Sequence, residues 1–69
     1  MKRFGEKLKM LRERAGMTQQ DLANQLGFSR YHVSGLEIGR KHPHVQLTVK
    51  IADIFGVTVD QLVRDELDV

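Results

Sequence analysis

Three polar side chains, Arg30, Tyr31 and Ser34, lie at helical spacing directly after Ser29, a residue type that commonly caps helices. A guanidinium can make two hydrogen bonds to a guanine, and a phenol can contact a thymine methyl group or a phosphate. Gly35 lies on the same side of this helix and allows close approach to a groove floor. Such an exposed helix is suited to enter a DNA major groove, so Arg30, Tyr31, Ser34 and Gly35 are the predicted base-reading residues.

A second group of residues is suited to bind the phosphates beside such a groove. Gln19 begins the preceding helix, where free backbone N–H groups favour an anion. A loop rich in basic residues follows the base-reading helix and would lie over a phosphate strand. The predicted phosphate-contacting residues are Gln19, Ser29, His32, Arg40, Lys41 and His42.

Other chemistries find little support in the sequence. His42 and His44 share a loop, but no third ligand is in view, so no metal site is predicted. The chain has no cysteine, which excludes disulfides and thiolate ligands. No nucleophile, base and orienting acid occur together, so neither enzymatic activity nor a cofactor is expected.

Two short helices must position the predicted interface. Thr18 and Asp21 form a capping pattern that starts the first helix, and Gly27 is suited to end it. Ser29 can then start the second helix after a turn so tight that the helices must cross steeply. Their inward faces consist of Leu22, Ala23, Leu26, Val33 and Leu36.

Further helices flank this pair. An apolar stripe predicts a first helix over about residues 2–15, with its inward face formed by Phe4, Leu8, Leu11 and Ala15. Gly16 ends this helix, and Met17 is expected to return to the core. Thr58 and Gln61 predict a capping box for a last helix over about 58–64.

The residues around positions 18–38 resemble the phage-repressor-like (Xre) helix-turn-helix family, and the likeness runs from Gly5 to about Val63. It depends on Thr18-Gln19, Leu22-Ala23, Leu26-Gly27, Ser29, Val33-Ser34, Glu37 and Gly39. The resemblance implies an all-α, compact five-helix lambda-repressor-like domain over residues 1–69, with helices at about 2–15, 18–26, 29–37, 45–55 and 58–64. It also implies an ion pair between Arg12 and Glu37. The alternative is two surface charges that contribute under about 1 kcal/mol.

The fourth helix departs from the family pattern. Relatives usually have a leucine at the position of Thr48, whereas this chain has Leu47 just before it. Leu47 and Ile54 are seven residues apart on one face, and either the core absorbs Leu47 or the pair forms a partner surface. The second interpretation leads to a homodimer formed by residues of about 45–67, with an interface of Leu47, Ile54, Val59, Val63 and Leu67.

Charge is distributed unevenly along the 69 residues. Six basic and two acidic side chains lie in residues 1–14, while one basic and four acidic side chains lie in residues 60–69. A polyanion is therefore expected to meet the front and centre of the chain. The chain has neither a long apolar run nor a signal-peptide pattern, so a cytoplasmic protein of a prokaryote or phage, with no membrane partner, is expected.

The expected function is sequence-specific binding of double-stranded DNA by a homodimeric transcriptional regulator on a pseudo-palindromic operator. One short recognition helix reads too few base pairs to single out an operator, which favours two copies. The alternative is a protein-interaction module of the same fold, such as an antitoxin that holds a protein partner. The chain could also be a fragment of a larger regulator, because larger regulators begin with a domain of this kind.

Overall fold

The computed structural model describes residues 1–69, and its secondary structure consists of five α-helices without a strand. These are α1 (Phe4–Arg14), α2 (Gln19–Leu26), α3 (Arg30–Glu37), α4 (Val45–Phe55) and α5 (Val59–Val63). The predicted all-α class is confirmed, and each helix begins and ends within two residues of its predicted bounds. None of these helices has the length and apolar character needed to cross a membrane.

Local capping explains where α2 and α5 begin. The Thr18 hydroxyl accepts the N–H of Asp21 at 3.0 Å, and the Asp21 carboxylate accepts the N–H of Thr18 at 2.9 Å. Thr58 and Gln61 exchange the equivalent bonds at the start of α5. Each box satisfies two backbone groups that a helix start otherwise leaves unpaired.

The start of α4 depends on a cap that the sequence reasoning did not identify. Nδ1 of His44 accepts the N–H of Leu47 at 3.1 Å, in the position usually held by serine, threonine, aspartate or asparagine. His44 is therefore a structural residue of the loop.

The helices enclose a single cluster of twelve buried apolar residues. Its members are Phe4, Leu8, Leu11, Leu22, Ala23, Leu26, Val33, Leu36, Leu47, Ile51, Ala52 and Leu62. Met17 packs against this cluster as expected. Ala15 was predicted to belong to it but is exposed, because α1 ends at Arg14 and Ala15 is its C-terminal cap.

Leu47 corrects the predicted dimer surface. Only 4% of the residue is exposed, so it belongs to the core of its own chain, and its assignment to a partner surface is wrong. Thr48 is buried beside it, and its hydroxyl donates a hydrogen bond to the His44 carbonyl at 3.0 Å, which satisfies the buried polar group. Ile54 is half-buried and packs against the same core. The core therefore accepts both Leu47 and Thr48.

Close contact between α1 and α3 fixes the position of α3. A β-carbon at Gly5 would lie 2.4 Å from the Glu37 carbonyl oxygen and 2.6 Å from that of Leu36. Both contacts are with backbone atoms, which cannot turn aside as a flexible side chain would. Glycine at position 5 therefore allows α1 to lie directly against the end of α3.

The C-terminal residues pack back onto α1. Lys7 is fully buried, and its Nζ donates to the carbonyl oxygens of Gln61 and Arg64 at 2.5 and 2.6 Å, which satisfies the end of α5. The Asp65 carboxylate accepts the N–H groups of Arg3 and Lys2, at 2.9 and 2.8 Å to Oδ1. These hydrogen bonds hold the pKa of Asp65 below its ordinary value, and the bond from the Arg3 N–H has the largest effect.

The acidic tail also neutralises part of the basic N-terminal segment. Arg3 pairs with Asp68 at 3.1 Å, and Arg14 donates to the carbonyl of Val69 at 2.7 Å. The positive charge that faces solvent near α1 is therefore smaller than the sequence count of residues 1–14 suggests.

Candidate nucleic-acid interface

The helix-turn-helix is formed by α2, α3 and the short turn between them. Gly27 ends α2 with a φ of +77°, a left-handed conformation that suits glycine. The Ser29 hydroxyl then accepts the N–H of His32 at 3.2 Å and caps α3. Ala23 is fully buried where the two helices pack. The turn and both caps follow the predicted pattern.

The first turn of α3 exposes two of the predicted base-reading residues. Val33 and Leu36 face the core, whereas Arg30 is exposed and Tyr31 retains 69% of its accessible surface. Ser34, in the second turn, is half-buried. The groups with most access to a ligand are therefore at the start of α3.

Gly35 is covered by a side chain from the loop after α3. It is buried, because the alkyl chain of Lys41 lies across it, and a β-carbon at position 35 would be 2.9 Å from Lys41 Cδ. A close approach of the Gly35 backbone to a groove floor stays a prediction, and it would require the Lys41 side chain to move aside. Lys41 occupies the space that such an approach would need.

Arg40 also turns back toward α3. The Arg40 guanidinium lies over the ring of Tyr31, with its Cζ 4.7 Å from the ring centroid. This cation–π contact holds a positive charge on the outward side of the helix and restricts the tyrosine ring. Arg40, a predicted phosphate contact of the loop, therefore lies over the first turn of α3.

Arg12 and Glu37 connect α3 to α1. Arg12 Nε and Nη2 donate to the two Glu37 carboxylate oxygens at 2.6 and 3.1 Å, and Arg12 Nη1 donates to the Met17 carbonyl at 2.8 Å. The side chains of Arg12 and Glu37 are 10% and 2% exposed. The hydrogen bond with Glu37 is the main reason why the pKa of Arg12 is raised. The implied pair is thus present as a buried bidentate contact.

Gln19 belongs to the same network. Its Nε2 donates to Oε1 of Glu37 at 3.1 Å, so part of its amide is occupied within the protein. A phosphate at the start of α2 would be held by the remaining Gln19 amide atoms and by backbone N–H groups. The structure therefore gives Gln19 a positioning role beside its predicted phosphate contact.

The histidines near the interface have different surroundings. His32 stacks on Phe28, with ring centroids 4.3 Å apart and an angle of 17° between the rings. His42 is exposed in the loop, while His44 caps α4. The structure holds no cluster of three or more His, Cys, Asp or Glu side chains arranged for a metal ion.

Comparison with known proteins assigns the fold to a family. Residues 3–67 match a protein-family model described as a helix-turn-helix domain. The chain belongs to the helix-turn-helix family. The match covers the whole helix-turn-helix segment, and the likeness to Xre-type regulators is confirmed.

Several relatives of this helix-turn-helix domain are described as transcriptional regulators. It is 40% identical over 63 residues to the HTH-type transcriptional activator BcrR of Enterococcus faecalis, and 38% identical over 61 residues to the prophage-derived HTH-type regulator YonR of Bacillus subtilis. These alignments cover 91% and 88% of the chain but only 31% and 56% of the relatives. An HTH-type regulator of Methanocaldococcus jannaschii is 41% identical over 56 residues, which are 81% of this chain and 85% of that protein.

A solved structure has the same architecture. The N-terminal DNA-binding domain of SinR from Bacillus subtilis superposes with a TM-score of 0.81, covering 93% of this chain and 94% of the other at 23% identity. The five-helix lambda-repressor-like fold is confirmed by this match. The family is non-enzymatic, in agreement with the expectation that this helix-turn-helix domain has no catalytic activity.

The remaining predicted dimer residues lie around α4 and α5 of the domain. Val59 and Leu67 are exposed, while Ile54 and Val63 are half-buried against the core. The sequence analysis did not identify an exposed apolar edge on α4. This edge consists of Val45, which is 79% exposed, and Val49 one turn later. Their spacing of four residues was the signal that could have identified this apolar edge.

Proposed function

We propose that this helix-turn-helix domain binds double-stranded DNA sequence-specifically and regulates transcription. The observation that carries the proposal is the exposed start of α3, where Arg30 and Tyr31 face solvent and Arg40 adds a positive charge above the tyrosine ring. A buried ion pair between Arg12 and Glu37 fixes this helix to α1. The relatives described as transcriptional regulators support the same function.

Each group at this surface has a role that fits its chemistry. Arg30 is one residue past the cap of α3 and reads a guanine through two hydrogen bonds. Tyr31 and Ser34 contact neighbouring base edges or the adjoining phosphate. Further phosphate contacts come from Gln19, Ser29, His32, Arg40 and His42.

We infer that two copies act together. One recognition helix contacts only a few base pairs, and two helices about 34 Å apart would read a pseudo-palindromic operator and add their phosphate contacts. The proposed seam is formed by the residues around α5 that remain accessible, namely Ile54, Val59, Val63 and Leu67.

The DNA-binding proposal is tested with duplexes selected from a random library and with unselected duplexes across a salt series. The wild-type protein should prefer the selected duplexes at every salt concentration, since counterion release alone gives no sequence preference. Arg30→Ala should cost about 1–3 kcal/mol on the selected duplex and much less on unselected DNA. Lys50→Ala is the control, because Lys50 is an exposed cation on α4, outside the proposed interface.

Failure to prefer any duplex, even at low salt, would contradict the proposal. If the same protein nevertheless bound a protein partner, the interaction-module function would be the better account.

The dimer proposal is tested by sedimentation equilibrium. Val59→Glu places a charge in the proposed seam and should yield a folded monomer, because an unpaired charge is costly to bury. Val45→Glu introduces the same charge at an exposed valine outside the seam and should leave the dimer intact. The opposite pattern would move the interface to the exposed edge of α4.

A further inference from the structure

Lys41 and Gly35 form a connected pair on the outward side of α3. Gly35 lies opposite the core-facing Val33, on the side that also carries Tyr31. The Lys41 backbone N–H donates to the Gly35 carbonyl at 3.0 Å, which turns the loop back along the helix. Gly35 is buried, and the Lys41 side chain covers it.

The path of this side chain can be followed atom by atom. A β-carbon at position 35 would lie 2.9, 3.1 and 3.3 Å from Lys41 Cδ, Cγ and Cε. The end of the lysine chain therefore occupies the space into which a side chain at position 35 would extend. None of the chain's ion pairs includes Lys41, so its ammonium group is free to bind a ligand.

We propose that Lys41 is a base-reading residue that takes the place of a side chain at position 35, with a guanine as its target. This inference rests on the proposed DNA-binding function and deepens it. Lysine can donate to the O6 and N7 acceptors of guanine in the major groove. Arg30 and Tyr31 would read the part of the half-site nearest the first turn of α3, and Lys41 the part nearest its second turn.

Glycine at position 35 is the condition for this arrangement. Within a helix, glycine is less favourable than every residue except proline, and nothing else at this position of α3 requires it. It has no positive φ, and the three atoms nearest to a β-carbon at this position all belong to the Lys41 side chain. The bare backbone lets the lysine stem lie flat, which limits its rotamers before DNA binds and lowers the entropy cost of a specific contact.

The experiment is a double-mutant cycle with Lys41→Ala, Gly35→Ala and the two combined, measured on the selected duplex and on duplexes with each base pair changed in turn. Lys41→Ala should lower affinity for the selected duplex by about 5- to 150-fold and remove the preference for one guanine, while the preferences due to Arg30 remain. Gly35→Ala displaces the lysine stem, so it should weaken the same guanine preference. In the Lys41→Ala background, Gly35→Ala should have no further effect on binding.

Two results would overturn the inference while leaving the proposed function intact. If Lys41→Ala weakens all duplexes equally, with every base preference retained, Lys41 binds a phosphate. If Gly35→Ala still weakens binding without Lys41, the glycine backbone itself approaches the DNA. A wild-type protein that shows no preference among duplexes overturns the proposed function and this inference together.

Folding is controlled within the same set of variants. Gly35→Ala adds a residue of higher helix propensity and meets only a flexible side chain, so its thermal midpoint should equal or exceed that of the wild type. Lys50→Ala removes an exposed lysine from α4 and should change neither affinity nor base preference.

Discussion

Replacing Arg12 with methionine is expected to destabilise the fold far more than the loss of a surface charge would. The Glu37 side chain is 2% exposed, and without Arg12 it loses two hydrogen bonds and its countercharge. Only the bond from Gln19 remains. A buried charge left without its partner costs about 3–5 kcal/mol. Met17 also loses the donor to its carbonyl.

This cost is comparable with the whole stability expected of the domain. At about 0.05–0.15 kcal/mol per residue, a chain of 69 residues has about 3–10 kcal/mol of unfolding free energy. One kcal/mol shifts the melting temperature of a domain of this size by about 4–8 °C. Arg12→Met should therefore lower the midpoint by at least about 12 °C, and urea titration followed by circular dichroism measures the free energy directly.

The double variant Arg12→Met/Glu37→Gln makes the test specific to the buried charge. A neutral amide costs less to bury than an unpaired carboxylate, and its oxygen can still accept from Gln19. The double variant should therefore be more stable than Arg12→Met alone. Arg14→Met is the control, because Arg14 is exposed and should contribute under about 1 kcal/mol.

Two outcomes would refute this reasoning. A loss below about 1 kcal/mol for Arg12→Met would mean that the pair behaves as a solvated surface contact. Equal stability of the single and double variants would show that the unpaired carboxylate is not the source of the cost.

Three further predictions concern stability. Gly5→Ala should lose at least about 1 kcal/mol in urea titration, because its β-carbon would meet backbone carbonyls of α3, whereas Gly35→Ala should lose nothing. Lys7→Met should cost about 1–3 kcal/mol and speed amide hydrogen exchange in α5, since two carbonyls lose their donor. The lowered pKa of Asp65 contributes stability that is fully present above its ordinary pKa of 3.8 and is lost as pH falls through the lower folded-state value. As pH falls from 3.8 through that lower value, the melting temperature of the wild type should therefore fall more steeply than that of Asp65→Asn.

Each of these predictions has a result that would contradict it. Equal stability of the two glycine variants would mean that α1 can move away from α3 without cost. Unchanged exchange in α5 would remove the proposed role of Lys7. Parallel pH profiles for the wild type and Asp65→Asn would show that the N-terminal hydrogen bonds do not form in solution.

The helix boundaries were predictable because the signals that set them are local. Thr18, Ser29 and Thr58 each cap the helix that follows, and Gly27 and Gly56 each end one in the left-handed conformation. These interactions join residues within a few positions of each other, so their spacing can be found in the sequence. The starts of α2, α3 and α5 and the turn after α2 followed from them, whereas the His44 cap of α4 was not predicted.

The rotation of α4 could not be predicted in the same way. Neighbouring residues on a helix point about 100° apart, so a core contact at either Leu47 or Thr48 was compatible with the apolar pattern. The structure buries both, because the Thr48 hydroxyl bonds to the carbonyl one turn before it. That bond removes the cost that made threonine an unfavourable core residue.

Long side chains limited the prediction of the interface. The sequence placed Arg40 and Lys41 correctly in a basic loop, but their stems are long enough to reach several surfaces. Only the path of the chain after α3 brings the Arg40 side chain onto Tyr31 and the Lys41 side chain onto Gly35. The proposed base-reading surface therefore depends on tertiary structure as well as on the sequence of α3.

The most direct test of the DNA-binding account is an NMR titration of the ¹⁵N-labelled protein with its selected duplex. We predict that the largest amide shift changes lie in residues 29–35 and 39–42, with smaller changes at the start of α2 and little change in α5. Changes concentrated in α4 and α5, with the start of α3 unaffected, would contradict the claim that α3 enters the groove.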